Sequence, residues 1–323
     1  MKIQPTKIAQ EILFEPYQPD TENHLCILSE KATPSMASWL LTSYDSCDFK
    51  NISVELIISG TRSSGIKQTY HECFKELQRS HGKGSKIKFT CSYIYKDLPP
   101  SPNLYVWFSK DTPIAAFSIQ SDFLQQTFVQ ETTEQADILD PHDASKKFYA
   151  CIDYSVKCTF NEVEEDILIV GEHFDINAGT SAQKCRLSLL QKNKDETGAR
   201  SGLNWGQRGG RNRNESYIPL PSNIAKSGFF PLKEQHFIVV TDDGHSLLLR
   251  VEQQNDKAIT TPDSNARLGE YFRNRMGLPN GNYIKKSDLD KYGRSDVDFY
   301  KFDDEQFYMD FSVSIKSGNG ENG

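Results

Sequence analysis

Residues 52–95 constrain the fold more tightly than any other stretch. ISVELIIS (52–59) is an unbroken, apolar-rich run of strand length that stops at Gly60. GIKQTYHECFKELQR (65–79) then sets Ile66, Tyr70, Cys73, Phe74 and Leu77 at helical spacing, and KIKFTCSYIY (86–95) alternates as a strand does. Strand, helix, strand with short connections is a βαβ unit, which calls for a parallel or mixed sheet. LYVWFS (104–109), a turn at 110–113 and IAAFS (114–118) read as a hairpin, followed by a helix over about Ser121 to Val129. The first 50 residues give weaker signals, Ile8 to Phe14, LCIL and ASWLLTSY, read as a strand or helix pair that packs on the βαβ segment. FYACIDYSV and DILIV, within 145–185, read as strands that complete this first domain.

The 323 residues are enough for two domains with separate cores. A seam is expected in the polar, turn-rich stretch from Gln183 to Arg200. Beyond it FIVV, SLLLRV, YIK, FYKF and FYMDFSVSI read as strands of a small β-barrel with short helices. The boundaries expected are 1–185 and 186–315, with SGNGENG in a disordered tail over 316–323. No apolar run approaches the roughly 20 residues of a membrane span, and the N-terminus lacks the apolar core of a signal peptide, so a cytoplasmic location is expected. Cysteines at 26, 47, 73, 91, 151, 158 and 185 are scattered, odd in number and without a CxxC pair, which points to free, buried thiols and away from a zinc site. Neither a Walker A sequence nor GxGxxG is present, so the chain is not expected to hydrolyse nucleotides.

The second half contains a stretch suited to a polyanion. SGLNWGQRGGRNRN (201–214) has four glycines, no acidic residue, the cations Arg208, Arg211 and Arg213, and the amides Asn204, Gln207, Asn212 and Asn214 beside a planar Trp205. Arginines suit phosphates and guanine edges, and amides suit adenine edges. Arg267-Leu-Gly-Glu-Tyr271-Phe-Arg273-Asn274-Arg275 is a second basic cluster, ahead of a turn at MGLPNG, and Arg294 follows in YGRSD. The net charge of -7 argues against nucleic acid, yet Asn161 to Asp175 alone carries six acids and no base. A phosphate field is felt mainly within about 10 Å, so a local cationic patch can bind DNA on an acidic protein.

In order along the chain, SGLNWGQRGGRNRNESYIPLP, FFPLKEQHFIVVTDDG, TTPDSNARLGEYFRNRMGLPNG, DLDKYGRSDVDFY and FYMDFS resemble the C-terminal half of the NgoFVII family of restriction endonucleases, from about Cys185 to Ser312. The resemblance implies a β-pseudobarrel like that of plant B-three transcription factors and the EcoRII effector domain, gripping duplex DNA with two arms. By carry-over, Trp205, Gln207, Arg208, Arg211, Arg213 and Asn214 would lie on the first arm. Arg267, Tyr271, Arg273, Asn274 and Arg275 would lie on the second, with Arg294 nearby.

The first half resembles the phospholipase D-like nuclease domain of the same family, so the implied fold class is α/β followed by β. That domain needs no metal or cofactor: a histidine attacks phosphorus, a lysine neutralises the phosphoryl oxygens and an asparagine orients the site. Aligned on Tyr105-Val106-Trp107, the histidine position holds Ser101 and the lysine position Asn103. Aligned on Ala116-Phe117, the Gly-Ser pair becomes Ile119-Gln120 and the asparagine becomes Asp122. None of these can replace an imidazole nucleophile and a cation, so this half is read as a scaffold with the motif lost.

A literal His-x-Lys stands at His81-Gly82-Lys83, in a glycine-flanked loop, and relocated catalysis there is the alternative. His71, His142, His173, His236 and His245 lack metal-motif spacing, and Asp296, Asp298, Asp303, Asp304 and Glu305 read as a solvated acidic hairpin. The partners expected are double-stranded DNA and a second phospholipase D-like chain, as a homodimer or with an intact paralogue. The resemblance adds a possible ATPase or helicase subunit and a cognate methyltransferase. No metal, cofactor or membrane is expected.

Overall fold

The computed structural model describes residues 5–97, 102–172, 183–232 and 235–313. Ser101, His173 and the tail 316–323 lie outside the described residues. The chain divides into two units, 1–173 and 174–323.

In the first unit the strands are β1 (Asn23–Ser29), β2 (Ile52–Ile58), β3 (Ile66–Lys67), β4 (Ile87–Ile94), β5 (Asn103–Ser109), β6 (Thr112–Ile119), β7 (Asp137–Ile138), β8 (Ser155–Lys157) and β9 (Ile169–Val170). Seven form one mixed sheet in the order β7-β6-β5-β1-β2-β4-β8, and β3 pairs with β9. β1, β2 and β4 run parallel, with the Gln68–Ser80 helix between β2 and β4, as the βαβ reading requires. The β5–β6 hairpin flanks them antiparallel. Central strands covered on both faces read as continuous apolar runs, which is why ISVELIIS does not alternate cleanly.

One face is covered by the Pro141–Ile152 helix, whose Ala144 and Phe148 pack on Cys26, Leu28, Ile57, Val106 and Phe108. On the other, Trp107 Nε1 donates to the Ile12 carbonyl at 2.7 Å and Tyr44 Oη to that of Leu13 at 2.7 Å, so the polar tips of both buried rings are satisfied. The weak N-terminal signals thus conceal the middle strand of the sheet, β1, and a helix over Pro34–Ser46 capped by Thr33.

Three readings are corrected here. FYACIDYSV is mostly helix, because Asp140 caps it by accepting from Asp143 N and Pro141 opens its first turn; only Ser155–Lys157 is strand. DILIV contributes two strand residues, Ile169–Val170. The helix expected over Ser121 to Val129 shrinks to one turn, Gln125–Phe128.

The second unit holds β10 (Gln183–Ser188), β11 (Ile218–Pro219), β12 (His236–Thr241), β13 (Ser246–Glu252), β14 (Ala258–Thr260), β15 (Asp296–Lys301) and β16 (Gln306–Asp310). Their order is β10-β15-β16-β12-β13-β14-β11, antiparallel except for the β12–β16 pair. The edge strands β10 and β11 approach each other, so the sheet nearly closes into a barrel around Leu187, Phe230, Phe237, Leu249, Phe299 and Phe307. YIK is not a strand: Ile284 N donates to Asn204 Oδ1 at 2.8 Å, while Asn204 Nδ2 and Thr197 Oγ1 donate to its carbonyl. Side chains, not a neighbouring strand, satisfy that extended backbone. Among the described residues no helix is long and apolar enough to cross a membrane.

Each unit buries a neutral histidine. His71 Nδ1 lies 3.2 Å from Tyr93 Oη, and burial, then Lys75, lowers its pKa from the ordinary 6.5. His236, on β12, is pulled well below 6.5 by burial and then by Arg250. Below about pH 6.5 the unfolded chain binds protons that these folded histidines refuse, so stability falls as pH falls, by up to about 1.4 kcal/mol per pH unit per histidine. Denaturant unfolding at about pH 7.5, 6.5 and 5.5 should show that decline, flattened in a His236→Gln chain. An equal slope in the variant would remove His236 from this account.

Candidate nucleic-acid interface

Residues 202–207, the front of the glycine- and arginine-rich stretch, form a short 3-10 helix between β10 and β11. Asn204 anchors it: the side chain is fully buried, donating to the Gly198 and Ile284 carbonyls and accepting from Ile284 N. The chain then folds back, with Gly206 N donating to the Glu215 carbonyl at 2.7 Å. An added Cβ at Gly206 would lie 2.1 Å from the Asn212 carbonyl oxygen, so only glycine permits this turn.

The second basic cluster is not an open arm but a helix, Ala266–Arg275, packed against the first. Gly269 makes the contact possible, since a Cβ there would meet the Asn214 carbonyl oxygen at 1.7 Å. Arg273 on this helix is 0 % exposed. Its Nε donates to the Asn282 carbonyl at 2.9 Å, Nη1 to those of Gly269 at 3.0 Å and Asn214 at 3.2 Å, and Nη2 to those of Arg213 at 3.2 Å and Leu203 at 3.4 Å. Burial lowers its pKa, but a guanidinium stays protonated in a protein. One buried cation therefore binds carbonyls from the 3-10 helix, from the loop after it, and from the 276–283 loop.

Gln207 and Asn214 tighten the same junction. Gln207 Nε2 donates to the Arg213 and Gly281 carbonyls, each at 3.1 Å. Asn214 Oδ1 accepts from Gly281 N, and its Nδ2 donates to Glu270 Oε1 at 3.0 Å. The two sequence clusters are thus one body made of two loops and a helix.

What this body turns outward is narrower than the sequence suggests. Arg208, Arg211 and Arg213 are exposed, as are Asn212, Asn274, Asn280, Asn282 and Lys285. Trp205 is half-buried and supports two of the arginines: the Arg208 guanidinium carbon sits 3.7 Å, and that of Arg211 4.7 Å, from its ring centroid. Arg208 Nε also donates to the Arg200 carbonyl at 2.9 Å, and Arg211 pairs with Glu215 at 2.5 Å.

Other residues read as contacts are engaged within the fold. Arg273, Asn204 and Asn214 are buried staples. Tyr271 is buried, and Arg275 is bound to Asp242 at 2.7 Å, Asp243 at 2.9 Å and Tyr292 Oη at 2.8 Å. Arg294 lies between Asp296, Asp298 and Asp310. Arg267 is half-buried and has an interaction partner. Of the acidic residues, Asp298 is buried and Asp296 is half-buried in ion pairs; although burial opposes its ionised form, Arg186 and Lys184 hold the Asp298 carboxyl below its usual range.

In the first unit, Asn103 opens β5 at the end of the sheet where β1 finishes, since Leu104 pairs with Leu28. Its Oδ1 accepts from Ser29 Oγ at 2.9 Å and Glu30 N at 2.8 Å; its Nδ2 donates to the Gln120 and Ser121 carbonyls at 3.1 and 3.0 Å. That uses the whole hydrogen-bonding capacity of a primary amide. Asp122 accepts from Lys31 N close by. Asn103, Gln120 and Asp122 do come together, but in a hydrogen-bonded knot without an imidazole or a cation that ties three strand ends together.

His81 lies at the opposite end of the sheet, in the loop that precedes β4. It ends the Gln68–Ser80 helix by donating its backbone N–H to the Leu77 carbonyl at 3.0 Å, and its Nδ1 sits 3.2 Å from that same oxygen. Lys83 is exposed two residues on. Of the remaining histidines, His142 is in the first turn of its helix and His245 faces Asp243 at 3.2 Å.

Two groups escaped sequence reasoning. Arg273 looks like any other arginine of a basic cluster, and no local signal marks it as internal. His24, Cys26 and Glu55 come together on the sheet face; the only trace is a His-x-Cys spacing inside a strand.

A family model described as the NgoFVII restriction endonuclease N-terminal PLD domain matches residues 6–165. Another, described as the NgoFVII C-terminal B3-like DNA-binding domain, matches residues 177–303. Comparison with curated proteins gives no match. A mixed α/β unit followed by a nearly closed β-barrel is consistent with those two domains in that order, and the chain belongs to the NgoFVII restriction endonuclease family.

Proposed function

We propose that this chain reads a specific double-stranded DNA sequence for a restriction system, and that its phospholipase D-like unit is a scaffold which has lost catalysis. The observation that carries the reading is the exposed trio Arg208, Arg211 and Arg213 on a loop whose backbone Arg273 fixes from beneath. A preorganised loop does not pay to order itself on DNA. Contact with the Trp205 ring and the Nε bond to the Arg200 carbonyl position the Arg208 guanidinium, whose fork suits a guanine edge, while Arg213 can meet phosphate. Exposed Asn212, Asn274, Asn280 and Asn282 offer amides to adenine edges.

Loss of catalysis is supported by chemistry at the aligned site. Phosphodiester attack by the phospholipase D-type mechanism needs an imidazole and a cation. Asn103 is a neutral amide with every lone pair and proton engaged, and Asp122 would repel the phosphate. The alternative, an active metal-independent endonuclease, would draw on His81 and Lys83 or on a residue aligned differently. A second phospholipase D-like chain, an ATPase or helicase subunit and a methyltransferase complete the system in this reading.

The deciding experiment incubates the purified chain with mixed-sequence plasmid in chelator, alone and with neighbouring gene products, beside a His81→Ala variant. Retained, salt-sensitive DNA binding without cleavage is the expected result. Cleavage that disappears in the variant would make the chain an active nuclease centred on His81.

A further inference from the structure

The parallel pairing of β1 with β2 sets Cys26 beside Glu55, and His24 stands two residues before Cys26 on the same face of the sheet. The Cys26 Sγ lies 3.7 Å from His24 Nε2, and that same nitrogen lies 3.4 Å from Glu55 Oε2. One ligand atom from each of the three falls within 4.8 Å of the others. A tetrahedral zinc ion with bonds of about 2.3 Å to sulfur and about 2.0 Å to nitrogen and oxygen would hold S···N about 3.5 Å and N···O about 3.3 Å apart. Both measured separations are within a few tenths of an ångström of those edges.

We propose that His24, Cys26 and Glu55 form a binding site for a zinc-class divalent cation, with the fourth position open to water. The donor set selects the ion: one thiolate, one imidazole and one carboxylate favour zinc over the oxygen-seeking magnesium and calcium. Charge favours it too, since a thiolate and a carboxylate neutralise a doubly charged ion beside an apolar cluster that includes Cys26, Val106 and Phe108. Cys26 is fully buried, whereas the His24 and Glu55 side chains are 29% and 22% exposed, which leaves an entry path from solvent. Cys26 and Glu55 lie at mid-strand and His24 further from Asn103, so the ion would cross-link β1 and β2 and take no part at the aligned catalytic positions.

The test is titration of the full-length, chelator-stripped protein with Co2+, followed by Zn2+. One equivalent should produce visible bands of tetrahedral cobalt together with a thiolate charge-transfer band, both bleached by zinc. Cys26→Ser should remove the charge-transfer band and weaken binding by at least about 100-fold, more than the loss of a supporting outer group. Cys47→Ser, which alters the exposed thiol, should leave the spectrum unchanged. Zinc should also raise the melting temperature of the native chain but not that of Cys26→Ser. An octahedral spectrum without thiolate absorption in the native chain overturns the proposal whatever the variants do, as do bands that persist in Cys26→Ser.

Discussion

Arg273→Met is expected to cost the C-terminal unit about 3 kcal/mol or more, because it strands buried carbonyls that the guanidinium now satisfies at about 1 to 3 kcal/mol each, with partial relief from entering water. The acceptors are the carbonyls of Leu203, Arg213, Asn214, Gly269 and Asn282. Arg273→Lys should rescue little, since one ammonium cannot span groups that a planar fork reaches in several directions. Denaturant unfolding gives the stability. Hydrogen exchange at Gly206 and Gly281, whose N–H groups bind Glu215 and Asn214, tests whether the loops loosen. DNA affinity should fall at least tenfold although Arg273 is fully buried, because the loops must then be ordered on binding. A native unfolding midpoint in Arg273→Met would remove the staple from the account.

Simultaneous Arg208→Ala, Arg211→Ala and Arg213→Ala is expected to weaken duplex binding by roughly 10²- to 10⁴-fold near physiological salt, from about 1 to 3 kcal/mol for a base-reading arginine plus the phosphate contacts. Each phosphate contact removed should also reduce the slope of log affinity against log salt by about 1. The single variants should differ. Arg211 already pairs with Glu215, so Arg211→Ala should have the smallest effect. Arg208→Ala should relax preference at one base position, and Trp205→Ala should mimic it in part by freeing the Arg208 guanidinium. Fluorescence anisotropy across several salt concentrations, with specific and scrambled duplexes, separates these outcomes. Unchanged affinity in the triple variant would sink the DNA-reading role of this face.

Much of the architecture is legible locally. The parallel β2–β4 pair and the β5–β6 hairpin follow from apolar runs of strand length broken at Gly60 and at 110–113. FYACIDYSV has strand composition, yet the Asp140–Pro141 start and the sheet face it covers make it helical. YIK looks like a strand, yet its partner is the Asn204 side chain. In the first, a local cap just upstream together with packing on the sheet outweighs strand composition, and in the second a contact distant in sequence does.

The sequence by itself determined the two-unit order, the family and a glycine-loosened cationic stretch at 201–214. Residue type and local spacing are enough for those, because they depend on periodicity and on which chemical groups exist. Only the tertiary structure decided which arginines face solvent and which are internal. Arg208 and Arg273 are chemically the same side chain, but Arg273 is surrounded by carbonyls from residues 203, 213, 214 and 282, brought together by long-range folding. The convergence of His24, Cys26 and Glu55 has the same origin, since strand register, which no single-strand pattern encodes, sets Glu55 beside Cys26.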